Sequence, residues 1–167
     1  MRNELTEKDL ALMRAELDQR RIYLRPQLLE LVKEARAFGD LSENFEYKAA
    51  KQEKNHNEGR IRYLENMIKS AIVLPEITHA DAVDLYDRVT VFLEDDNETA
   101  TYQIVTTMRQ NVLQGLISRE SPVGKAILGK KAGDRCYIEV RPDYGYYAVI
   151  RAIEKAEDDG SIPLNKY

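Results

Sequence analysis

The stretch Phe38-Gly39-Asp40-Leu41-Ser42-Glu43-Asn44 decides how the first half of this 167-residue chain is read, because it is a short break between two long helical patterns. Upstream of it, Leu10, Met13, Leu17, Leu24, Leu28, Leu31, Ala35 and Phe38 recur mostly at three- and four-residue steps, the period of a narrow apolar stripe on one side of a helix. Thr6 with Asp9 three residues on resembles a capping box and puts the helix start near residue 6. Pro26 has no N–H and its ring crowds the preceding turn, so a bend is expected there rather than a stop. Downstream, residues 44–74 carry Ala50, Ile61, Leu64, Ile68, Ala71 and Leu74 on one side. The run Lys51 to Glu58 has no large apolar side chain and is expected to stand largely in water. Two long helices joined by so short a break predict an antiparallel coiled-coil hairpin, about 50 Å long at the helical rise.

After Pro75 the period changes to alternation. Residues 88–93, 101–105, 135–140 and 146–150 read as strands, separated by the turns Glu94 to Glu98 and Pro142 to Gly145. Ser121-Pro122, a short apolar stretch and Gly129 mark a short helix with an N-cap, a first-position proline and a closing glycine. The fold class is therefore α+β. Residues 1–75 form the hairpin with its acidic tip at 39–46, residues 76–82 a linker, and 83–156 a small β-sheet domain. Residues 157–167 form an acidic tail without periodicity, expected to be mobile. Cys136 shares a strand face with Ile138 and Val140 and reads as a core thiol.

No run approaches the length of an apolar membrane span, and the start lacks a signal-peptide core. A cytoplasmic location without membrane attachment is expected. The formal net charge is −4, which argues against a free nucleic-acid binder that works by neutralising phosphates. A protein partner is the better expectation. His56 and His79 have no Cys or His at ligand spacing, so a zinc site is not expected.

At the tip two readings of Asp40, Glu43 and Glu46 stand side by side. In one, Gly39 ends the first helix, Asp40 caps the second and Glu43 completes a capping box. In the other, the exposed carboxylates are oxygen ligands for Mg²⁺, too few for a closed cage and therefore completed by another macromolecule. Lys33 and Arg36 on the incoming helix and Lys48, Lys51 and Lys54 on the outgoing one surround the acids. This basic collar is either a solvated face of ion pairs or a grip on RNA phosphates.

Glu34-Ala35-Arg36-Ala37-Phe38-Gly39-Asp40-Leu41-Ser42-Glu43-Asn44-Phe45-Glu46-Tyr47-Lys48-Ala49-Ala50-Lys51, continued by Glu58-Gly59-Arg60-Ile61, resembles the hairpin-tip signature of the Gre transcript cleavage factors. The run from Ile117 to Lys130, with Ser121-Pro122 at its centre, is similar to their second signature. The resemblance implies an N-terminal coiled coil followed by an FKBP-like domain. It implies binding at the rim of the secondary channel of bacterial RNA polymerase and stimulated cleavage of backtracked RNA. By motif position Asp40 and Glu43 are then the catalytic tip acids that share Mg²⁺ with the polymerase. Arg36, Lys51 and Lys48 contact the RNA 3′ segment, Tyr47 and Asn44 support the tip, and Ser121 and Pro122 lie toward the docking surface. The factor is expected to be a monomer and no nuclease by itself. A relative of the same fold that occupies the channel without promoting cleavage is the alternative. Phe45 departs from the pattern, where family tips often carry a small residue, and so does the acidic tail.

Overall fold

The computed structural model describes residues 3–39 and 43–166. The chain divides into two compact units, one formed by Asn3 and residues 9–72, the other by Glu4–Lys8 together with residues 73–166.

The first unit is a helical hairpin. Its outgoing limb is α1 (Glu7–Gln19), a π-helical turn (Arg20–Leu24) and α2 (Arg25–Arg36), and its return limb is α3 (Phe45–Lys69). Glu16 meets Arg60, Arg20 meets Asn57, Arg25 meets Glu58 and the Ala35 carbonyl meets Asn44. From Glu16 to Ala35 the partners run from Arg60 back to Asn44, so the limbs are antiparallel, as expected. The bend foreseen at Pro26 takes the form of the π turn just before it. Proline cannot donate to the carbonyl four residues back, and the neighbouring Arg25 N–H instead reaches five residues back to the Arg20 carbonyl. Pro26 then sits in the first turn of α2, directly after the π turn.

Leu10, Met13, Leu17, Leu28, Ala35, Ile61 and Leu64 are buried in this unit. Three members of the anticipated stripe are not, Leu24 being only partly covered. Leu31 is half exposed and Phe38 is 78% exposed. Val32, four residues beyond Leu28, is the more covered of the adjacent pair, and Phe38 lies past the last residue of α2, where helical period no longer aims it inward. The polar run of α3 from Lys51 to Glu58 is largely exposed, as expected, except for Asn57, which is buried together with Arg60 just beyond the run. The Glu16 carboxylate accepts from Arg20 Nε at 2.8 Å and from Arg60 Nε and Nη2 at 2.8 and 3.1 Å. Arg20 Nη1 donates to Asn57 Oδ1 at 2.9 Å. Burial raises the Glu16 carboxyl, but the guanidinium hydrogen bonds of Arg60 and Arg20 outweigh it and leave the group below its ordinary value. An ion cluster thus replaces apolar packing at mid-seam.

The second unit is built on β1 (Arg88–Leu93), β2 (Glu98–Val105), β3 (Leu116–Ser118), α4 (Pro122–Ile127), β4 (Arg135–Arg141) and β5 (Tyr144–Glu154). The sheet order is β3-β2-β1-β5-β4; β2 and β3 are parallel and the other neighbours antiparallel. Val89, Val91, Ile104, Ile117, Ile127, Ile138 and Ile150 form its core with Cys136, whose thiol is pushed up by burial. The strand β3 was not anticipated, since three residues are too short to display alternation. The N-terminal segment also belongs here: Leu5 is 2% exposed, its carbonyl accepts from the Leu74 N–H at 2.8 Å, and Glu4 pairs with Arg119 at 3.2 Å. At the base of β1, Lys155 Nζ donates to Asp84 Oδ2 at 2.7 Å and to Asp87 Oδ2 at 2.5 Å, and the His79 ring lies 2.7 Å from Asp84 Oδ1. In the tail, Asp158 forms a two-pronged ion pair with the buried Arg109, both contacts at 2.7 Å, and Asn165 bonds to the carbonyls of Met108 and Thr107.

No helix among the described residues is long and apolar enough to cross a membrane.

Candidate functional site

The end of the hairpin is shaped by one asparagine. Asn44 is the N-cap of α3: its Oδ1 accepts from the Tyr47 N–H at 2.9 Å, satisfying one of the free amides of the first turn. Its Nδ2 donates to the Ala35 carbonyl of α2 at 2.7 Å. The same side chain therefore starts the return helix and ties it to the end of the outgoing one. On the other side of the break, Gly39 has φ of +109°, a conformation that side chains disfavour, two residues beyond Ala37, the C-cap of α2. Asp40, with Leu41 and Ser42, lies outside the described residues. Glu43 stands exposed immediately before the cap, and Glu46 is exposed in the first turn of α3. With the cap at Asn44, Glu43 precedes the helix instead of completing a capping box within it.

Around this end the basic side chains gather on aromatic rings. Arg36 from α2 lies 5.8 Å from the centroid of Tyr47, and Lys51 from α3 lies 5.9 Å from the same ring. A hydrogen bond from Arg36, reinforced by the charges of Lys51, Arg36 and Lys54, holds the Tyr47 phenol below its ordinary value. Lys48 lies 5.8 Å over Phe45. Tyr47 therefore draws together two cations from different helices, Arg36 and Lys51. Among the described residues, no three His, Cys, Asp or Glu side chains are grouped as a metal site.

The second sequence motif forms a braced corner. Ser121 Oγ accepts from the Gly124 N–H at 3.0 Å and donates to the Ser118 carbonyl at 2.6 Å. Ser118 Oγ accepts from the Glu120 N–H at 3.1 Å and lies 2.8 Å from Thr107 Oγ1. A Cβ at Gly124 would fall 2.2 Å from the Ser118 carbonyl oxygen, so only glycine lets α4 begin this close to β3. Pro122 and Lys125 remain exposed on the outer side of the corner.

The family model of the transcription elongation factor N-terminal domain of GreA and GreB matches residues 3–73, and the model of their C-terminal domain matches residues 78–154. The chain belongs to the GreA/GreB family of transcription elongation factors. Transcription elongation factor GreA of Thermoanaerobacter pseudethanolicus is 44% identical over 137 residues, which covers 81% of this chain and 87% of that protein. GreA of Streptococcus thermophilus is 40% identical over 144 residues, covering 86% and 89%. Among solved structures, GreA factor homolog 1 (Gfh1) of Thermus thermophilus is 27% identical, covers 91% of this chain and 98% of that one, and has a TM-score of 0.42.

In this Gre-family chain the two motifs divide between tip and corner, and part of the first has a structural duty. Glu58 binds Arg25 through both oxygens at 2.7 and 2.9 Å, and Arg60 binds Glu16. These contacts were not apparent in the sequence. The tip motif itself brings Arg36, Asn44, Tyr47 and Lys51 together.

Proposed function

We propose that this factor docks through its sheet unit on bacterial RNA polymerase, at the rim of the secondary channel, and that its hairpin tip enters the active centre to promote hydrolysis of backtracked RNA. The observation that supports this reading is the division of labour at the tip. Asn44 caps α3, so Glu43 stands exposed in front of the helix, while Arg36, Lys48 and Lys51 supply positive charge beside it.

Asp40 and Glu43 fit a shared Mg²⁺ rather than an owned one: two carboxylates offer too few oxygens for this hard ion, and the polymerase supplies the rest. Bound Mg²⁺ would activate water and stabilise charge on the phosphodiester. Glu43, held before a capped helix end, orients the attacking water, and Arg36, Lys48 and Lys51 engage phosphates of the RNA 3′ segment. The Ser121-Pro122 corner, rigid through its serine and glycine contacts, faces the docking surface. The factor acts as a cytoplasmic monomer and cleaves nothing alone.

The test is a stalled, backtracked elongation complex supplied with Mg²⁺ and the factor. A released 3′ RNA fragment is expected with polymerase present and none from RNA without it. Asp40→Ala is expected to keep the fold and lose stimulation. Binding without any fragment release would instead identify an occluding regulator of the same fold.

A further inference from the structure

Two of the three phenylalanines of this chain stand at the tip, and both are bare. Phe38 is 78% exposed and Phe45 82%, whereas Phe92 in the sheet unit is partly covered. Single exposed apolar residues are ordinary. Two phenyl rings flanking the junction between α2 and α3, among the described residues more exposed than any tyrosine, are not.

Phe45 is also the better placed of the two. It is the first residue of α3, directly after the cap Asn44, which is anchored to Tyr47 of its own helix and to Ala35 of the other. Its backbone is therefore set by both limbs of the hairpin while its ring is left in solvent. Lys48, one turn along, carries its ammonium 5.8 Å from the ring centroid, and Arg36 and Lys51 lie at Tyr47 two residues away. A bare aromatic face flanked by cations matches a ligand that has a flat apolar face and negative charge in each repeat. Single-stranded nucleic acid has both, one base and one phosphate per nucleotide. An apolar protein wall would match the ring and leave three cations unanswered.

We propose that Phe45 is a positioning residue that stacks on a base of the RNA 3′ segment, with Lys48 engaging the adjacent phosphate. The inference rests on the tip reaching backtracked RNA, as in the function proposed above. By holding one base, the ring would fix the phosphodiester register presented to Asp40 and Glu43. The net charge of −4 gives no general affinity for RNA, so stacking operates within the polymerase complex only.

The test uses full-length factor and a backtracked complex of bacterial RNA polymerase whose extruded RNA contains 2-aminopurine, a base whose fluorescence falls on stacking. With Ca²⁺ replacing Mg²⁺ to slow hydrolysis, wild-type factor is expected to quench the signal. Phe45→Ala should lose most of the quenching, Phe45→Trp should restore it, and Phe45→Leu should not, since leucine is apolar but has no π face. With Mg²⁺, Phe45→Ala should slow fragment release about tenfold, and the deficit should vanish on RNA with an abasic 3′ segment. Equal deficits on normal and abasic RNA, or rescue by leucine as good as by tryptophan, would show packing against polymerase and overturn the proposal. Quenching that depends on Phe45 without fragment release would sink the cleavage function and leave the stacking intact. Fragment release without quenching would do the reverse.

Discussion

At Asp84 three donors converge on one carboxylate: the His79 ring and backbone N–H, and the Lys155 ammonium. Burial alone would raise this group, yet the hydrogen bonds from His79 and Lys155 prevail and bring it from 3.8 to about 2. A carboxyl depressed in the folded state contributes stability above its unfolded value and loses it as pH falls through the folded one. The contribution is thus complete above about pH 4 and gone near pH 2. Asp84→Asn is expected to cost roughly 2 kcal/mol at neutral pH and to abolish the part of the acid-dependent loss that falls between those values. Urea unfolding of the two proteins across that range measures it, and parallel stability curves would rule it out. The tip side chains Asp40 and Phe45 are the other residue-scale tests, with fragment release and base fluorescence as their readouts. Their residue types were legible from the motif. Their setting was less so, because Asp40, Ser42 and Asn44 all qualify as caps by type, and only hydrogen-bond geometry selects Asn44.

At the scale of the elements, the hairpin is an apolar seam interrupted by charge. Glu16 serves two arginines, one from its own limb and one from α3, and Arg60 is only 4% exposed. Such a cluster adds little net stability over apolar packing but penalises any shift of register that would separate its members. Glu16→Gln removes the charge both guanidiniums bind and is expected to destabilise the hairpin by roughly 2–3 kcal/mol. Exchanging Glu16 and Arg60 together for leucine should recover most of that loss. Far-UV circular dichroism during urea unfolding would show both effects, and a wild-type midpoint for Glu16→Gln would remove the cluster from the account. The limbs, their antiparallel course and the disturbance near Pro26 were readable because each depends on period or on one residue's covalent geometry. The buried Asn57 was not, since its burial depends on Arg20 across the seam.

For the molecule as a whole, the chain does not divide at one point into two consecutive pieces. Residues 4–8 belong to the sheet unit, with Leu5 buried, its carbonyl bonded to Leu74 and Glu4 paired with Arg119. A fragment begun after the hairpin would lack these groups. Leu5→Ala is expected to lower the stability of the sheet unit by about 2–4 kcal/mol, seen as faster hydrogen exchange of amides in β1 and β5. Unchanged exchange there would mean that the N-terminal segment lies on this unit without supporting it. What the sequence by itself determined is local: two helical stripes joined by an acidic break, alternating strands, a capped short helix, and two motifs whose order names the family. Each of these is written in neighbours a few positions apart, through period, caps and turn residues. Only the tertiary structure decided which acids and bases pair inside the hairpin, that Leu116–Ser118 joins the sheet in parallel, and that the N-terminus completes the second unit. Those contacts link positions far apart in the chain, and their energy depends on burial and on partners that no local pattern contains.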